Sequence, residues 1–181
     1  MNKYLLMMSV LFALLFQSCE IDSSPKLSKG AEICYATIQE TAQKIAEKYH
    51  LSFVGIGAGG GGEDGIWLMS AHFRKYQGCI ANIEEARSLL IACADDFIAY
   101  INACQELKPY LRNHPFTSRN IDVTIFNCEG PKIDETKPYP AAFGVAEGVI
   151  SYYVPHGSTY RIALKETYEE AVAILAQERG S

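Results

Sequence analysis

The chain is expected to fold as an α+β two-layer sandwich, a largely antiparallel sheet of about six strands with helices on one face, in the order α-β-β-α-β-β-β-β-α. Three observations predict it. Two stretches place apolar residues at steps of three and four, two groups of extended segments are joined by short turn-rich links, and a capping pattern opens a last helix. Links within each strand group are too short for parallel crossovers, so neighbouring strands should run antiparallel. A helix with one apolar stripe needs a surface to cover, and one face of the sheet supplies it.

The chain opens with Lys3 and a thirteen-residue apolar run from Tyr4 to Phe16, interrupted only by Ser9, followed by Gln17, Ser18 and Cys19. The run fits the apolar region of a signal peptide and falls short of the roughly 20 residues that span a bilayer. No small-x-small cleavage pattern precedes Cys19. The stretch Leu14-Leu15-Phe16-Gln17-Ser18-Cys19 resembles the lipobox of bacterial lipoproteins, with Ser18 and Cys19 matching the pattern and Phe16 and Gln17 looser. The resemblance covers only the first nineteen residues. It implies that the Cys19 thiol takes a diacylglycerol, that the chain is cut before Cys19, and that the product is exported and anchored to a bacterial membrane. Residues 1–18 would then be the signal peptide, 19–29 the lipidated cysteine and a polar tether, and 30–181 a single α+β domain.

The elements follow in order. Ile38, Ala42, Ile45 and Tyr49 recur at helical steps between charged residues, which predicts an amphipathic helix over 30–50. Leu51 to Gly57 and Gly65 to Phe73 are extended runs around a glycine cluster and predict a hairpin. On its second strand Trp67, Met69, Ala71 and Phe73 share the face expected to meet the core. Asn82, with Glu85 three residues on, caps a helix whose apolar residues run from Ile83 through Leu90, Phe97 and Ile101 to Leu107, with Pro109 as its stop. Ile121, Val123 and Ile125 alternate with Asp122 and Thr124 as a half-buried strand. Glu147-Gly148 and His156-Gly157-Ser158 are turns between three further strands, and Thr167 with Glu170 forms a capping box for the last helix.

Composition narrows the function. The chain has 16 basic and 21 acidic residues, and loss of Lys3 with the leader moves the formal charge from −5 to −6. That balance, without a basic block, argues against nucleic acid and against electrostatic attachment to anionic lipid headgroups. Membrane attachment should therefore come from the acyl chains, each buried CH₂ of which contributes about 0.8 kcal/mol. Five cysteines follow Cys19, namely Cys34, Cys79, Cys93, Cys104 and Cys128. Export allows disulfides, and an odd number leaves at least one thiol unpaired within a monomer. Cys93 and Cys104 on one straight helix would lie about 16 Å apart, too far for a mutual bond.

Few motifs carry chemistry. Gly55-Ile-Gly57-Ala-Gly59-Gly60 matches G-x-G-x-x-G, but a strand follows where a dinucleotide site needs a helix, so it reads as a hairpin loop. Glu63-Asp64 lacks the spaced ligands of a calcium loop, and the histidines lack zinc spacing, so neither a metal nor a cofactor is predicted. His72 and Cys79 are the candidates for nucleophilic chemistry, since an imidazole beside a thiol lowers its pKa. Asp95-Asp96 reads as the solvated face of the long helix. Tyr152 and Tyr153 should point to opposite sheet faces, one into the core and the other outward with Tyr160 nearby, as candidate binding residues. The leading expectation is a lipid-anchored domain that binds or scaffolds another envelope protein. The alternatives are an envelope hydrolase or thiol enzyme using His72 and Cys79, and a small-ligand carrier. The anchor has its own test: metabolic labelling with a clickable palmitate analogue should mark the intact chain and hold it in the membrane fraction, and Cys19→Ala should abolish both. Label and retention that survive the substitution would remove the anchor.

Overall fold

The structure, a computed structural model, describes residues 27–60, 64–127 and 139–180. Cys19, Glu63 and Cys128 lie outside the described residues. The elements are α1 (Lys29–Tyr49), β1 (Ser52–Gly60), β2 (Ile66–Arg74), α2 (Ile83–Ala103), β3 (Ile121–Phe126), β4 (Ala142–Ala146), β5 (Val149–His156), β6 (Thr159–Thr167) and α3 (Tyr168–Gly180). The six strands form one sheet in sequential order. Every neighbouring pair is antiparallel except β2 and β3, which α2 joins as a parallel crossover. This is the α+β arrangement that the patterning predicts, with the three helices on one face.

Each helix starts where its capping signal places it. Ser28 accepts a hydrogen bond from the Ala31 N–H at 3.3 Å to start α1, and His50, in the left-handed region at φ 53°, ends it. Cys34, Ile38, Ala42 and Ile45 of α1 are fully buried. Asn82 accepts from the Glu85 N–H at 2.8 Å to open α2, and Ala86, Leu90, Cys93, Phe97 and Ile101 line its buried stripe. At α3, the Thr167 N–H donates to Glu170 at 2.8 Å and the Glu170 N–H donates back to Thr167 Oγ1 at 3.2 Å, a complete capping box.

The sheet contributes alternate residues to the same core. Met69, Ala71, Phe73, Ile121, Val123, Ile125, Phe143, Val145, Ile150 and Tyr152 are all fully buried. Removing each of the larger of these side chains from water contributes roughly 1.5–3 kcal/mol. The β4–β5 turn has positive φ at both Glu147 and Gly148, at 52° and 79°, the two-residue geometry whose twist matches antiparallel strands.

Two local expectations are corrected. Trp67 does not join Met69, Ala71 and Phe73 in the core but is 37% exposed. A register shift between Gly59 and Gly60 leaves it without a cross-strand partner, and its indole packs instead over the glycine backbone, where a Cβ on Gly60 would meet Trp67 Cδ1 at 2.6 Å. The long helix stops at Ala103 rather than at Pro109, because Cys104 turns extended (φ −73°, ψ 101°). The Asn102 amide then holds the returning chain at both ends, donating to Phe116 O at 2.9 Å and accepting from the Phe116 N–H at 2.7 Å. Leu107 still reaches the core from the turn that follows.

A buried ion pair joins α2 to β6. Arg87 Nε and Nη2 donate to the two Glu166 oxygens at 2.8 and 3.1 Å, and the Tyr152 hydroxyl donates to Glu166 Oε1 at 2.6 Å. The Arg87 and Glu166 side chains are only 7% and 8% exposed. The pair holds Arg87 firmly charged, and burial followed by the adjacent Glu166 carboxylate raises the Tyr152 hydroxyl well above the usual phenol range. Removing the carboxylate leaves the buried cation with only the half-exposed Glu178, 3.9 Å from Arg87 Nη1. Glu166→Ala should therefore lower the free energy of unfolding, measured in urea, by about 3–5 kcal/mol. Arg87→Met combined with Glu166→Leu and Tyr152→Phe should recover most of that loss. A single-variant loss below about 1 kcal/mol would show that the pair is not holding these elements together.

Candidate functional site

With the helices on one face, the other face of the sheet is bare among the described residues. Cross-strand register fixes what lies on it. One row runs Gly55, His72, Thr124, Gly144, Ser151 and Lys165, and the next runs Arg74, Phe126, Ala142, Tyr153 and Ile162. The first row is small or polar. Its close strand spacing depends on Gly144, where a Cβ would sit 2.7 Å from Thr124 Oγ1 and 2.9 Å from Val123 O.

The second row is aromatic and aliphatic. Phe126 is 36% exposed and Ile162 44%. The Arg74 guanidinium stacks 5.8 Å from the Phe126 ring and 5.8 Å from the Tyr76 ring, which holds a planar cation against two exposed aromatics. Tyr160 lies opposite Pro155, two residues beyond Tyr153 on the same face, and is 67% exposed. Alternation thus places the tyrosines as the sequence predicts: Tyr152 in the core on Glu166, Tyr153 outward with Tyr160 close by.

The nucleophilic candidates lack a free thiol. His72 lies half-buried in the polar row, between Gly55 and Thr124. Cys79 is disulfide-bonded and so has no free thiol for an imidazole to activate. Among the described residues no hydrogen bond joins His72 to a hydroxyl, thiol or carboxylate; the bond in its neighbourhood runs from Thr124 Oγ1 to Asp122 at 3.2 Å. Cys34, Cys93 and Cys104 are free, so Cys93 and Cys104 do not bond to each other. Burial raises the Cys34 thiol to about 11 and pushes the Cys93 thiol up further, so both stay protonated at neutral pH.

Asp95 and Asp96 do more than face solvent. Asp95 accepts from the Tyr168 hydroxyl at 2.7 Å, and Asp96 accepts from Lys48 at 2.7 Å and from the Tyr49 hydroxyl at 2.9 Å, so the two carboxylates clip α2 to α3 and to α1. No group of three or more metal-ligating side chains occurs among the described residues, and no helix among them is long and apolar enough to cross a membrane.

A cavity whose lining residues sequence reading does not single out lies beside the start of α1. It encloses about 530 Å³ between the first turns of α1, the turn end of β1 and β2, and the segment around Tyr110. Comparison of the chain with protein-family models, with curated proteins and with solved structures finds no match in any of the three. The site is therefore read from its own geometry.

Proposed function

We propose that the chain is a lipid-anchored protein of the bacterial cell envelope whose domain binds another protein through the bare face of its sheet. The observation that carries this reading is the cross-strand row of Arg74, Phe126, Ala142, Tyr153 and Ile162, extended by Tyr160. Arginine and tyrosine are among the residue types that dominate binding energy at protein interfaces, and an exposed apolar patch rimmed by polar groups is a docking surface rather than ordinary surface. The neighbouring row of glycine, serine and threonine lets a partner backbone come close to the sheet.

The chemistry of the alternatives is thinner. A thiol enzyme using His72 and Cys79 needs a sulfur that is committed to a disulfide. The overall acidic charge supports a protein partner over nucleic acid. The lipobox resemblance at Cys19 supports the envelope location and supplies the tether, which would confine the domain to the layer next to the membrane and raise the effective concentration of any partner there.

Photo-crosslinking tests the docking face in cells. A benzophenone amino acid at Tyr153 should yield a discrete crosslinked protein, whereas the same group at Tyr100, 38% exposed on α2, should not. Phe126→Asp in the Tyr153-labelled chain should reduce that adduct by about tenfold or more, as expected for loss of a residue worth at least 1.4 kcal/mol to binding. Equal adducts from both positions, or none from Tyr153, would rule out this face as the docking surface.

A further inference from the structure

The cavity beside α1 is built by three approaches of backbone and ring. Gly30, in the first turn of α1, lets the Tyr110 ring lie flat on the helix, and a Cβ there would meet Tyr110 Cδ1 at 2.6 Å. Gly65, at φ 70°, lets the chain at Tyr110 and Arg112 pass within contact distance, and a Cβ there would sit 3.0 Å from Arg112 N. The Arg112 N–H then donates to Ile66 O at 2.8 Å, which fixes the segment against the start of β2. None of these groups belongs to the docking face.

The lining sorts by chemistry. Cys34 and Ile66, at 0% and 4% exposure, form an apolar floor, and Ala31 and Leu111 add aliphatic wall. The Cys34 thiol is neutral there and acts as a soft apolar surface. Tyr35, 37% exposed, and the half-buried Tyr110 supply two aromatic walls. Arg112 and Asp64, both exposed, complete the lining. A volume of this size matches pockets that hold small molecules, most of whose surface such pockets bury.

We propose that this cavity is a binding site for a small amphipathic acid, with a flat or short aliphatic body seated among Ala31, Cys34, Tyr35 and Tyr110 and a single carboxylate or sulfonate reaching Arg112. Two aromatic walls favour a flat body, since stacked and edge-on ring contacts add to area burial. The guanidinium takes one singly charged acid group, through charge-assisted hydrogen bonds. Asp64 in the same lining repels further negative charge, which disfavours a phosphate or a polyacid. This site is independent of the docking face, so either proposal stands or falls alone.

The probe is 4-benzoylbenzoate, an apolar two-ring aromatic body with one carboxylate and a photoreactive ketone. Irradiated with the full-length chain in membranes, it should label the peptides carrying Ala31 to Tyr35 and Tyr110 saturably, as mapped by peptide mass spectrometry. The uncharged 4-methylbenzophenone should need about tenfold more to reach half-maximal labelling, as should 4-benzoylbenzoate with Arg112→Gln. Ala31→Phe, which fills the cavity, should abolish labelling of those peptides with the circular dichroism spectrum unchanged. If Ala31→Phe does not fold, the exposed Arg112→Gln and the uncharged probe decide the matter. Labelling spread over the surface, unsaturable, or indifferent to Arg112→Gln and to probe charge would overturn the proposal.

Discussion

The buried ion pair between Arg87 and Glu166 fixes how the two layers meet. Its donors come from the central helix and its acceptors from the last strand, 79 residues later in the chain, and the Tyr152 hydroxyl closes on the same carboxylate from the strand between. Two hydrogen bonds in a planar fork specify direction as well as distance, so α2 cannot slide along the sheet without leaving a charge unpaired in the core. Apolar contacts alone tolerate such sliding. Asp95 and Asp96 add clips from α2 to α3 and α1 at the edge of the same layer. With the three helices drawn to one face, the other is bare among the described residues, and it is there that the aromatic row lies.

Much of the fold was legible because its signals are local. Apolar steps of three and four marked α1 and α2, alternation at Ile121, Val123 and Ile125 marked β3, and the Asn82 and Thr167 caps form with their acidic partners three residues on. The opposite faces of Tyr152 and Tyr153 also follow from strand alternation alone. Trp67 escaped because alternation assumes unbroken register, and the shift at Gly59 and Gly60 breaks it. The end of α2 escaped because no breaker marks it: Asn102 binds a backbone segment fourteen residues on, which no window along the chain reveals. For the same reason the Arg87–Glu166 pair had no sequence signal.

The cavity was equally hidden. Its wall gathers three segments separated by tens of residues, and the glycines that shape it, Gly30 and Gly65, read in sequence as the starts of a helix and of an extended run. Only the close approach of Tyr110 and Arg112 gives those glycines their meaning. The proposed docking face lies between these extremes. Strand alternation singled out Tyr153 and Tyr160, but their union with Arg74 and Phe126 depends on the parallel pairing of β2 with β3, a consequence of the crossover through α2.

The proposed division of labour between a packed face and a partner-binding face has one direct test. Hydroxyl-radical footprinting compares the oxidation of surface side chains on intact envelopes with that on the purified protein. The account predicts that Phe126, Tyr153 and Tyr160 are protected in envelopes and oxidised once the protein is purified, while Tyr100 on α2 reacts alike in both. Equal oxidation of the three sheet residues in both samples, or protection confined to the helical face, would contradict it.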